Sequence, residues 1–240
     1  MGFIFINTLR FSILYLLLYV LDSFFKNNEA LYSYRYYTKI ALGSTLLIFY
    51  LFKTKQKNIF KKRLIIYALS LFIIGDVFFI TGNSGKMTHF VFAAFLFIGA
   101  KICYSIRFLN SKDFKISKLV PFLLFGFAYM TIITNLVYNN LGYYFFPFLM
   151  YLFVVLLLMQ FAYLRKGEVN ELSFWLVIFG VFFSMIADSI NILKIFYDPL
   201  IAYNKITVMF FYCLSQYMII LGVLQENRPI NNNKKLKVNR

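Results

Sequence analysis

The chain has little of what most metal and nucleophile sites are built from. Its 240 residues include one histidine, two cysteines and only nine acidic side chains. A lone His89 excludes a zinc or haem site that needs several imidazoles. Cys103 and Cys213 have no partner at CxxC or CxxH spacing, so they read as small apolar residues. Charged residues make up 14 % of the chain, too few to cover a soluble domain of this length. Internal repeats and helix pairs broken by Gly or Pro are also missing, which argues against an inverted-repeat transporter.

What is present is apolar surface. Hydrophobic residues are 61 % of the sequence, with 32 Phe and 19 Tyr, and apolar runs of bilayer-crossing length recur throughout. Spans are expected over 9–25, 37–52, 64–80, 89–109, 119–138, 144–164, 172–193 and 205–225. The fold class expected is all-α, a polytopic membrane protein built as a bundle of eight transmembrane helices. Residues 1–227 form its single domain, and 228–240 a disordered basic cytoplasmic tail. The N-terminal run has no small-residue cleavage site and continues into Asp22 and Ser23, so it reads as a first span.

The net charge of +16 does not point to nucleic acid, because no soluble module presents it to a groove. Most Lys and Arg fall in the second, fourth and sixth loops and in the tail. The positive-inside rule therefore puts both termini in the cytoplasm, with a bacterial inner membrane the expected location. Arg10, Lys86 and Lys194 read as interfacial anchors, and Arg107 and Arg165 as loop charges.

The few polar groups inside spans locate function. A carboxylate near the centre of a membrane helix costs roughly 2.5–3.5 kcal/mol on insertion scales, yet Asp76 and Asp188 both lie within apolar runs. In the expected topology Lys39, Asp76, Asp188 and Tyr212 fall in the outer half of the membrane, which predicts one internal cavity.

The same residues carry a family resemblance. Ser70-Leu71-Phe72-Ile73-Ile74-Gly75-Asp76-Val77-Phe78 resembles the first Gly-Asp motif of the YhhN family of integral membrane proteins, which includes lysoplasmalogenases. Ile186-Ala187-Asp188-Ser189 resembles its second motif, usually Ser-Asp-Ser. Tyr212 to Gln216 is similar to its closing Tyr-x-x-x-Gln stretch. Thr38-Lys39 matches a lysine early in the second helix, and Tyr151 with Met159 fit the sixth. Ala187 departs from the usual serine. Lys101 stands where a histidine is common, so no catalytic role is carried onto it.

The resemblance implies hydrolysis of the vinyl ether bond of lysoplasmalogens, giving a fatty aldehyde and a glycerophospho-alcohol. That reaction needs an acid to protonate carbon, a negative charge beside the resulting oxocarbenium ion, and a base for water. Two carboxyls in a low-dielectric cavity supply all three. Asp76 and Asp188 are the expected catalytic pair, facing each other in a pocket sized for a single-tailed lipid. Lys39, Tyr212, Gln216, Tyr151 and Ser189 are the expected substrate-binding residues. No cofactor is required. The expected partners are a lysophospholipid or ether lipid substrate and the membrane lipids. Two other readings use the same residues: a proton-coupled or small-molecule transporter, and a non-enzymatic lysolipid-binding protein.

Overall fold

A computed structural model describes residues 7–83, 86–109 and 116–226. The expected basic tail lies outside the described residues, as do Lys112 and Lys115 of the fourth loop. The described residues form helices and no strand: α1 (Thr8–Asn27), α2 (Arg35–Lys53), α3 (Ile59–Asn83), α4 (Met87–Phe108), α5 (Ile116–Leu141), α6 (Phe145–Leu164), α7 (Glu171–Phe196) and α8 (Asn204–Gln225). Short 3₁₀ turns precede α2, α6 and α8. Asparagines open several helices: Asn7 accepts from the Leu9 amide at 3.0 Å, and Asn170 from the Ser173 amide at 2.7 Å. Each satisfies an amide that has no partner within its own helix.

Six stretches are long and apolar enough to cross a membrane: Thr8–Asn27, Ile59–Gly82, Met87–Phe108, Phe122–Leu164, Glu171–Phe196 and Lys205–Gln225. The expected count of eight is therefore corrected to six candidate spans in an all-α fold. Arg35, Lys39, Lys53 and several tyrosines dilute the apolar character of α2. Phe122–Leu164 reads as one run of 43 residues, although Gly142, at φ +47°, turns the chain between α5 and α6. Large apolar side chains such as Leu17, Phe127 and Phe146 stay exposed on the outside, as expected of helices that face lipid.

The main core cluster draws on α1, α2, α3, α4, α6, α7 and α8. Phe11 stacks on Phe49 at 3.9 Å between ring centroids, both fully buried. The α7–α8 contact is very close. A Cβ on Gly222 would sit 2.6 Å from Val177 Cγ2 and 3.0 Å from its backbone nitrogen, and one on Gly180 would meet Ile219 in the same way. Small residues permit this approach, the usual route to helix association where lipid removes the hydrophobic drive. Gly222→Ala should thus force the two backbones apart and cost about 1–3 kcal/mol, read as a lower Tm in detergent.

At the end of the bundle where α4, α6 and α8 finish, two arginines share one carboxylate. Arg107 and Arg165 donate to Glu226 Oε2 at 2.9 and 3.1 Å, and Arg165 also reaches Ser173 Oγ at 3.1 Å. Both arginines are buried, which corrects their reading as loop charges. Burial alone would raise the Glu226 pKa, but Arg107 and Arg165 outweigh it and hold the carboxyl below its ordinary value of 4.5. A depressed carboxyl contributes stability above its ordinary pKa and loses it as pH falls through the folded value. Thermal unfolding should therefore show the wild type losing stability below about pH 4.5. Glu226→Gln should start about 1.5–3 kcal/mol less stable at neutral pH and lose less on acidification.

Candidate functional site

Two buried Lys–Asp pairs tie together helices that are distant in sequence. In the first, Lys39 Nζ of α2 donates to Asp76 Oδ1 of α3 at 3.1 Å. Tyr212 of α8 donates its hydroxyl to Asp76 Oδ2 at 2.9 Å. The lysine ammonium also lies 4.3 Å from the centroid of the Tyr212 ring, a cation–π contact that strengthens as water is removed. In the second pair, Lys101 Nζ of α4 donates to Asp188 Oδ2 of α7 at 2.8 Å and to Ser184 Oγ at 2.8 Å. Tyr151 of α6 donates to Asp188 Oδ1 at 2.6 Å. The two carboxylates are thus built alike, each with one lysine on one oxygen and one tyrosine on the other.

Both aspartates line a single cavity of about 1280 Å³, its open mouth included. Its walls are mostly apolar, with Phe72, Phe79, Phe97, Ile98 and Phe148 among them. Lys39, Lys101, Tyr151 and Tyr212 line it as well. The helices explain the convergence. Asp76 and Lys39 sit on facing sides of α2 and α3, while α4 packs along α3 and brings Lys101 round to α7 and α6.

The remaining expected residues stand apart. Gln216 accepts from the Tyr104 hydroxyl at 3.0 Å and is 4 % exposed; it lines a smaller void next to Asp76 and Tyr212, outside the main cavity. Ser189 hydrogen-bonds to Tyr129 at 2.9 Å and to the Met185 carbonyl at 2.7 Å, and does not line the cavity. Met159 packs against the core, and Ala187 lies in the cavity wall.

The chain matches the model of the YhhN family over residues 34–223. It belongs to that family. The match covers both Lys–Asp pairs and both tyrosines, so the whole site lies within the shared region. No curated protein and no solved structure matches the chain.

Two features of this YhhN site were not read from sequence. Lys101 was set aside, yet it is the cation of the second pair and is 1 % exposed. Its signal was position, since a lysine in the middle of an apolar helix needs a partner. A third buried cluster joins Asp22 of α1 to Arg35 and Thr38 of α2. Arg35 Nε lies 3.6 Å from Asp22 Oδ2, and Thr38 donates to Asp22 Oδ1 at 2.8 Å. Among the described residues, no group of His, Cys, Asp and Glu has the arrangement to hold a metal ion.

Breaking one partner of a buried pair leaves an uncompensated charge. Lys101→Met should therefore cost about 3–5 kcal/mol, and adding Asp188→Asn should recover more than half of it. A double-mutant cycle on unfolding in detergent measures that coupling.

Proposed function

We propose that this YhhN protein is a membrane-embedded hydrolase of the lysoplasmalogenase type, cleaving the vinyl ether bond of a single-tailed lipid. The supporting observation is that Asp76 and Asp188 line one largely apolar cavity, each held by a lysine and a tyrosine. An apolar wall suits a hydrocarbon tail, and two carboxyls suit a reaction that moves protons and builds positive charge.

In this reading one carboxyl, in its protonated form, delivers the proton to the vinyl carbon remote from oxygen. The electron pair of the double bond forms the new C–H bond, and the ether oxygen shares the resulting positive charge. The other carboxylate faces that oxocarbenium ion and takes a proton from the water that attacks it. The hemiacetal formed then collapses to a fatty aldehyde and a glycerophospho-alcohol. Tyr151 and Tyr212 fix the carboxyl orientations, while Lys39 and Lys101 balance their charge. Gln216 acts on the site through Tyr104 and the smaller void, and Ser189 through the α5–α7 contact.

The same reading puts both termini on the cytoplasmic side of an inner membrane. Residues 1–227 then form one domain ahead of a basic cytoplasmic tail. A second reading, a lysolipid-binding protein without turnover, draws on the lysine that sits on each carboxylate.

Turnover of a lysoplasmalogen by purified protein separates the two. Asp76→Asn and Asp188→Asn should each lower the rate by at least about 100-fold, the range of positioned acid–base groups. Wild-type rates in both variants, with unchanged unfolding, would refute the catalytic assignment. Lipid recovered intact from the wild type would favour the binding reading.

A further inference from the structure

Most polar side chains that meet at the cavity hold one another. Lys39 and Tyr212 bind Asp76, and Lys101 and Tyr151 bind Asp188. Arg35 is turned onto Asp22 and Tyr32. Asn191 is different. It lines the same cavity, yet among the described residues its amide has no hydrogen-bond partner. Tyr144 is also in the wall without one, but its ring packs near that of Phe196, 6.4 Å between centroids.

An unpartnered amide in a membrane helix is costly, because hydrocarbon offers nothing to replace the missing bonds. Asn191 falls within the apolar stretch Glu171–Phe196. Asparagines that pack helices recover the cost by bonding across to a neighbour, and Asn191 makes no such bond. Another apolar side chain, like Ile190, Ile192 and Leu193 around it, would fill the wall without that cost. The amide therefore serves a group that enters the cavity.

Its position says which group. Asn191 lies three residues beyond Asp188 on α7, so both side chains leave one face of the helix with Cβ atoms about 5–6 Å apart. Side chains at that spacing reach neighbouring oxygens of one small molecule. In the proposed reaction Asp188 works beside the ether oxygen, which sets Asn191 against the next oxygen of the glycerol unit. The amide offers a donor and an acceptor together. A hydroxyl matches both, whereas an ester at that carbon only accepts and brings a second tail.

We infer that Asn191 binds the free hydroxyl on the middle glycerol carbon and so selects single-tailed lipids. The inference rests on the lysolipid reading of the cavity and names its specificity contact. A two-tailed lipid, or one without the hydroxyl, leaves the amide unpaired in a largely apolar wall, and that penalty sets the discrimination.

The test is equilibrium binding to the full chain in neutral detergent, with a saturated alkyl-ether lysophosphatidylcholine and its 2-deoxy analogue. Neither carries a vinyl ether, so neither is turned over. The wild type should bind the hydroxyl-bearing lipid about three- to tenfold tighter. Asn191→Leu should weaken that lipid by the same factor and leave the 2-deoxy lipid unchanged or tighter, so that the preference disappears. Its Tm without ligand should not fall, because the amide supports no other residue. Equal wild-type affinity for the two lipids would overturn the inference, whether or not the variant folds. An equal loss of both lipids in Asn191→Leu, or a preference that the variant retains, would do the same. Failure of both lipids to bind the wild type would refute the lysolipid reading and the inference with it. Absence of vinyl ether turnover alone would remove the hydrolase reading and leave the hydroxyl contact standing.

Discussion

The arrangement depends on charge neutralisation inside an apolar bundle. A carboxylate among Phe, Leu and Ile side chains persists only if a cation and hydrogen bonds replace the water it has lost. Asp76 and Asp188 obtain that replacement from other helices: Lys39 and Tyr212 for one, Lys101 and Tyr151 for the other. The chemistry that makes these groups affordable therefore also fixes the relative positions of α2, α3, α4, α6, α7 and α8. Each pair therefore couples the cavity to the packing of several helices.

The cavity lies beside the same pairs, and large side chains such as Phe72, Phe97 and Phe148 wall it together with both carboxylates. Elsewhere the packing is tight. Gly180 and Gly222 let α7 and α8 touch backbone to side chain, and Phe11 lies flat on Phe49. The contrast between a close-packed α7–α8 pair and a hollow toward α4 and α6 is what distinguishes a binding cavity from an ordinary membrane bundle.

Part of this was legible in the sequence. The apolar runs announced a helical membrane protein, and two aspartates that such runs should avoid marked the region of the site. Their partners were harder to read. Lys101 and Asp188 are 87 residues apart, and no local pattern says which face of α4 meets α7. Arg107 and Arg165 read as loop charges because they lie at helix ends, where cations ordinarily face headgroups, and Arg35 lies at a helix end too. Each is instead turned inward onto Asp22 or Glu226. An acidic residue near the end of an apolar helix, Asp22 in α1 and Glu226 just past α8, is the available clue. The number of crossings was misjudged for the opposite reason: charge in α2 and continuity between α5 and α6 disguise where one apolar segment ends and the next begins.

The two ends of the bundle hold their buried arginines on different carboxylates. At the end where α8 finishes, Arg107 and Arg165 converge on a single carboxylate, and Asn170 and Ser173 bind the last carbonyls of α8. Two cations share one anion there, and the helices close around them. At the other end Asp22 holds Arg35, which lines the cavity that also contains Asp76 and Asp188. Dehydrating a carboxylate and leaving it a cavity to face are opposed demands, and the fold meets both by closing the α8 end tightly while Asp76 and Asp188, each held by a lysine and a tyrosine, line a largely apolar hollow.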